Sequence, residues 1–227
     1  KLIKSFLFSK KNYYTGIACP CCIGGPEAHA WMKREVSRTN EHLTWANLFV
    51  NGNYATFIEK IVPIIAERKI VMVCSENADL EKVKKELYFN IVKDFRVGQN
   101  CIVNDHHLVG EIAEWIKDNN IEDHVFLFSA SSLSEILIHE LFRDHGENTY
   151  LDIGTTLHPY FDLGFERDYL KGYFWSNYGS ADIGKKCVWS RDVHITKNEE
   201  KYWDNIRDLR NHPQVKKGFI DQEHISE

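Results

Sequence analysis

Three short runs in this sequence have the residue types and spacing for chemistry. Ser129-Ala-Ser-Ser132 places three hydroxyls directly after the apolar run His124-Val-Phe-Leu-Phe128 and directly before a helical stretch. At a strand-to-helix turn, small hydroxyl residues leave backbone N–H groups open. The helix N-terminus adds a partial positive charge, so Ser129, Ser131 and Ser132 suit a phosphate. Capping of the helix is the plainer role for any one of them. Asp152-Ile-Gly154, followed by Thr155, is the second run. A carboxylate at a strand end can bond ribose hydroxyls, assist a metal or orient a base, and Gly154 lets a backbone approach a ligand. The plainer role is a turn carboxylate that caps Thr155 or Thr156. The third run, Cys74-Ser-Glu-Asn77, also ends an apolar segment and offers Ser75, Glu76 and Asn77. His158 stands four residues beyond Gly154, before Pro159.

Other groupings carry less. Asp105, His106 and His107 are adjacent, and adjacent side chains on a helix diverge, so capping with exposed histidines is expected. Cys19-Pro-Cys-Cys22 with His29 raises zinc, but no second ligand pair follows at a structural-zinc spacing. A loop of reduced thiols is expected there. Neither G-x-G-x-x-G nor G-x-x-x-x-G-K-[ST] occurs, which argues against a standard dinucleotide dehydrogenase and a P-loop NTPase.

The three runs share a setting. Lys69 to Cys74 and His124 to Phe128 read as strands covered on both faces, and Thr149 to Asp152 as a further strand. Ile91 to Phe95 and Cys101 to Val103 read as short strands. Between them, Asp79 to Tyr88, His106 to Asp118 and Ser131 to His145 carry apolar stripes at helical spacing. This alternation predicts right-handed crossovers and a mainly parallel central sheet flanked by helices, a Rossmann-like α/β fold. In such a sheet, ligands bind beyond the carboxyl ends of the strands, where all three runs lie. Residues 1–68 are read as a mostly helical N-terminal segment, with helices over Pro26 to Val36, Asn40 to Asn51 and Asn53 to Arg68, the last kinked at Pro63. Residues 69–158 form the sheet core and 159–195 an aromatic wrap, all within one domain over 1–195. Residues 196–227 are expected to be a polar tail with a helix around Glu199 to Leu209.

Composition bounds the classes. The 227 residues are 43% hydrophobic and 27% charged, as in an ordinary globular protein. A net charge of −5 supplies no global basic field for nucleic acid. No apolar run reaches the roughly 20 residues of a membrane helix, and no secretory pattern opens the chain. Six cysteines, three of them crowded into one loop, fit reduced thiols in the cytoplasm better than a disulfide framework. The first residue is not Met, so neighbouring domains in a longer chain are expected.

The ordered motifs Val71-Met-Val-Cys74, Phe95-Arg-Val-Gly-Gln-Asn100, Phe126-Leu-Phe-Ser-Ala-Ser131 and Tyr150-Leu-Asp-Ile-Gly154 resemble the GT-D fold glycosyltransferases. Asn12 to Ile17 and Leu43 to Asn51 resemble the segments preceding the sheet in that family, so the resemblance spans about 12–162. It implies transfer of a sugar from a nucleoside diphosphate sugar, with a UDP-sugar favoured, to a carbohydrate acceptor. Under that reading Asp152, His158 and Glu76 are candidates for the base. Ser75, Asn77, Ser129, Ser131, Ser132, Gly154 and Thr155 are candidates for the nucleotide and diphosphate. A divalent cation, Mn or Mg, is the implied cofactor. However, the family's Asp-x-Glu motif is not seen before Asn12, and His158 stands where an acidic residue is common. The metal ligands are therefore unknown from sequence. A non-catalytic nucleotide or glycan binding module and a methyltransferase are the alternatives.

Overall fold

A computed structural model describes residues 1–18, 25–37 and 42–174. The core is a four-stranded parallel sheet of β3 (Lys69–Ser75), β4 (Asn90–Val97), β5 (Val125–Phe128) and β6 (Thr149–Asp152), in the order β4-β3-β5-β6. The chain leaves β3 for β4 on one side, then returns across to β5 and β6 on the other. The reversal falls between β3 and β5, whose carboxyl ends carry Ser75 and Ser129. The expected Rossmann-like α/β fold is what the chain adopts.

The strand interiors explain their central place. Ile70 to Cys74 and Phe126 to Phe128 are almost wholly buried, because each strand has helices over both faces. On one face β3 packs with α5 (Leu80–Leu87), α4 (Val62–Ala66) and the turns after β6. On the other, Val71, Val73, Phe126 and Phe128 meet Ile112 and Ile116 of α7 (Leu108–Asp118) and Leu133, Leu137 and Leu141 of α8 (Leu133–Asp144). Asp79 caps α5 by accepting a hydrogen bond from the Lys82 amide at 3.0 Å.

Two element assignments differ from the sequence reading. Cys101–Asn104 forms a single helical turn, α6, and not a strand. Asn100 enters it with φ +53°, and Cys101 turns inward to donate its thiol to the Ala130 carbonyl at 3.1 Å. Of the two short strands expected there, only the first forms, as the edge strand β4. The expected helix over Asn40 to Asn51 is not seen in its described part either: residues 42–51 hold β2 (Leu43–Trp45), turns and the start of a 3-10 turn over Asn51–Asn53. β2 pairs in parallel with β1 (Thr15–Ile17), and α2 (Gly25–Ser37) makes the crossover between them. Thr44-Trp45 supplies β-prone side chains, and pairing with β1 fixes them as a strand. Among the described residues the N-terminal segment is mostly helical, as expected, and the parallel pair β1–β2 is what the sequence reading missed. It also holds α1 (Leu2–Leu7).

The expected helix up to Arg68 is continuous but irregular. α3 (Tyr54–Thr56) runs into a π turn, Phe57–Ile61, immediately before α4. Pro63 has no N–H to offer Glu59, and the widened turn just before it absorbs the missing bond. After β6 the chain turns over the sheet end, and α9 (Asp168–Phe174) follows. The expected wrap beyond residue 174 and the tail helix lie outside the described residues. No helix among the described residues is long and apolar enough to cross a membrane.

Candidate functional site

The carboxyl end of the sheet has two halves. Over β3 it is closed. Leu157 and Phe161 are fully buried there, and the Asp79 amide donates to the Phe161 carbonyl at 2.9 Å. Lys82 donates to the Pro159 carbonyl at 3.0 Å, and Tyr54 donates to the Thr156 carbonyl at 2.7 Å. Arg96 binds the carbonyls of Ser75 and Ala78 at 3.1 and 2.8 Å and pairs with Asp94. Ser75 accepts from the Asn77 amide at 3.2 Å, forming a local turn. Glu76 is exposed on the β4 side, its carboxylate over Gly98. Two strand spacings, about 10 Å, separate the ends of β3 and β6.

Over β5 and β6 the end is open. Ser129 donates its hydroxyl to the Gly154 carbonyl at 2.7 Å, and the Gly154 amide donates to Asp152 Oδ1 at 3.0 Å. Gly154 has φ +49° and Ser131 φ +50°, so the two turns meet in left-handed conformations. Ser132 precedes α8 without a side-chain capping bond, and Ser134 instead accepts from the Ala130 amide at 3.1 Å. Ser129, Asp152 and Gly154 are thus brought together. Thr155 shares a 2.7 Å hydrogen bond with Tyr169, on the α9 side. His158 is half-buried beside Glu166 and Arg167, and burial holds its pKa below the ordinary value.

Asp152 also opens into a cavity of ≈ 1520 Å³ that runs along the whole of β6 and along α8. Its opposite walls are α1, the stretch Lys10 to Gly16, Trp31 and Met32 of α2, and Thr44 to Ala46. Of the residues singled out from sequence, Asp152 alone lines it. Its companion is Glu135, in the first turn of α8. The Asp152 carboxyl is reachable from the cavity, yet protein surrounds its other sides. Asp152 is an exposed residue by accessible surface; desolvation by the protein packed around it, followed by the charge of Glu135, pushes its pKa up to about 7, against the pull of the Gly154 amide. Glu135 is raised as well, by burial. Burial and then the same Glu135 charge push the Tyr13 hydroxyl up to about 12. A carboxylic acid that ionises near neutrality beside a second carboxyl can take up and release a proton at working pH.

Glu135 and the aromatic walls escaped the sequence reading. Ser132 and Glu135 match the S-x-x-E spacing of a capping box, a pattern that argues for structure and hides the cavity-facing carboxylate. Trp31 gave no signal, and Tyr13 and Trp45 stood out only as parts of the segments Asn12 to Ile17 and Leu43 to Asn51, because their place on the wall depends on β1 pairing with β2.

A divalent cation must be tested against these donors. Among the described residues no three His, Cys, Asp or Glu side chains converge on one point. Glu135 and Asp152 both line the cavity, two carboxylates that fall short of a complete protein cage. The Cys19 to Cys22 loop lies outside the described residues. His29 stacks on Trp45 at 5.3 Å, and its Nδ1 lies 3.1 Å from the Ala18 carbonyl oxygen.

Compared with protein-family models, curated proteins and solved structures, the chain matches none.

Proposed function

We propose that this protein transfers a sugar from a nucleoside diphosphate sugar to a carbohydrate hydroxyl, with Asp152 as the general base. The observation that carries the reading is Asp152 itself, at a strand's carboxyl end. It is held by the Gly154 amide, raised to a pKa of about 7, and open to a large aromatic cavity. A base of that pKa is half ionised at neutral pH, which balances availability against proton affinity.

In this reading the donor lies over the Ser129–Ser132 turn and Gly154, where the N-terminus of α8 meets its phosphates; the amides of Ser129, Ala130 and Gly154 are already held by Val73, Ser134 and Asp152 and do not contribute. The acceptor enters from the cavity. Its hydroxyl oxygen bonds to the anomeric carbon as the bond from that carbon to the diphosphate oxygen breaks. The nucleoside diphosphate leaves with the electron pair, and Asp152 takes the hydroxyl proton. Glu135 keeps Asp152 basic by its charge. A divalent cation, when bound, would offset charge on the departing diphosphate. A UDP-sugar is the favoured donor, and a reducing cytoplasmic setting suits the free thiols of Cys74 and Cys101.

The test is thermal shift and calorimetry against UDP, GDP, their common sugars and S-adenosylmethionine, with and without Mn²⁺, followed by product analysis with the donor that binds. A ligand at 100 times its Kd stabilises by about 2.7 kcal/mol, so a specific nucleotide is readily seen. Binding of one nucleoside diphosphate sugar, with transfer lost in Asp152→Asn, supports the reading. Binding without turnover leaves a nucleotide or glycan binding module. A response to S-adenosylmethionine alone makes the protein a methyltransferase.

A further inference from the structure

Three aromatic rings on the cavity wall each pack on a second ring. Trp31 stacks on Phe6 with 6.4 Å between centroids and 6° between planes. Trp45 stacks on His29 at 5.3 Å, and Tyr14 lies against His42 at 5.3 Å. The two histidines are not among the residues that line the cavity, whereas Trp45 and Tyr14 are. Trp31 is 51% exposed and Tyr14 62% exposed, too open to be core packing.

We infer that the cavity takes an oligosaccharide acceptor of three or more units laid across these rings, and not a single sugar. The inference rests on the transferase reading only for where the chain reacts. Size is the first argument. At ≈ 1520 Å³ the cavity exceeds the roughly 300–1,000 Å³ that encloses one drug-sized ligand. Length is the second. Glu135 and Phe142 both line the cavity, and seven residues of helix separate them by about 10 Å. The occupant must therefore be longer than one pyranose ring.

Surface chemistry is the third argument. A sugar unit has C–H faces and a rim of hydroxyls. Aromatic faces are electron-rich and attract the polarised C–H groups, while carboxylates and amides bond the rim. The wall holds both kinds of group, with the carboxylates of Asp152 and Glu135 alongside the rings. A lipid chain would need a continuous apolar wall, which Glu35, Glu135 and Glu147 interrupt. Rings fixed by stacking lose little entropy on binding, so each platform contributes more of its contact energy.

The test is calorimetric titration of the whole chain, without donor, with cellotetraose, maltotetraose and chitotetraose, using glucose and N-acetylglucosamine as single-unit controls. One tetrasaccharide series should bind at least about tenfold tighter than its single unit. Trp31→Ala and Tyr14→Ala should each weaken that tetrasaccharide by up to about tenfold. Both should leave the nucleotide-induced rise in Tm unchanged, which a folding defect would not. Equal affinity for single units and tetrasaccharides, or no response to any tetrasaccharide, overturns the inference. If tetrasaccharides bind but no donor is turned over, the transferase reading falls alone. If a nucleotide sugar binds and is transferred to single sugars as well as to chains, the inference falls alone.

Discussion

The carboxyl ends of β3 and β6 belong to one sheet and lie about 10 Å apart, yet they are finished in opposite ways. At β3 every feature is tied down. Arg96 spans two carbonyls, Lys82 and Tyr54 hold the turns after β6, and Phe161 seals the end. At β6 the Asp152 carboxyl is made costly to ionise by burial and by the charge of Glu135, beside a large cavity, and Glu135 is itself raised by burial. A guanidinium placed there as Arg96 is placed at β3 would stabilise them and hold Asp152 ionised. That would also lower its value as a base. The contrast teaches that the β3 end supplies rigidity and the β6 end supplies reactivity, and that stability is forgone only where chemistry is done.

Substitutions at each end should separate these roles. Asp152→Asn should lower transfer by roughly 10² to 10⁴-fold, the usual contribution of a general base. Circular dichroism should stay unchanged, as should the nucleotide-induced shift in Tm. Phe161→Ala opens a void at the fully buried β3 end and should cost about 3–5 kcal/mol in chemical denaturation. Residual folded protein should retain the pH dependence of the parent. Tyr54→Phe removes the 2.7 Å bond to the Thr156 carbonyl and should cost about 1–3 kcal/mol, by leaving a buried acceptor unpaired. Loss of activity from Phe161→Ala at full folding, with Asp152→Asn silent, would reverse the assignment of roles.

Much of the β3 end was legible in the sequence. Ile70 to Cys74 and Phe126 to Phe128 could hardly be anything but covered strands, and their spacing with the intervening helices dictates the parallel order. Asp152 and Gly154 were visible for the same reason: the topology places a strand's carboxyl end where ligands bind. The walls facing Asp152 were not visible. Leu43-Thr-Trp45 becomes a strand only by pairing with Thr15 to Ile17, more than twenty residues away. Cys101 to Val103 misled in the opposite direction, since its β-branched residues sit in a single helical turn anchored by the Cys101 thiol on Ala130. Glu135 was hidden by its capping-box spacing from Ser132.

Linkage between ionisation and stability gives a smaller test of the same contrast. The Asp152 pKa is raised in the folded state, so its ionisation opposes folding above about pH 7, and that cost disappears as pH falls toward the ordinary carboxylate range. Asp152→Asn should therefore raise Tm at pH 8 and bring a smaller gain at pH 4.

The most direct measurement is the titration of the Asp152 carboxyl carbon by ¹³C NMR, in the parent and in Glu135→Gln. An apparent pKa near 7, moving down when Glu135 loses its charge, is the result predicted for a base tuned by burial and by its neighbour. Titration near 4, indifferent to Glu135, would show an ordinary turn carboxylate and contradict the account.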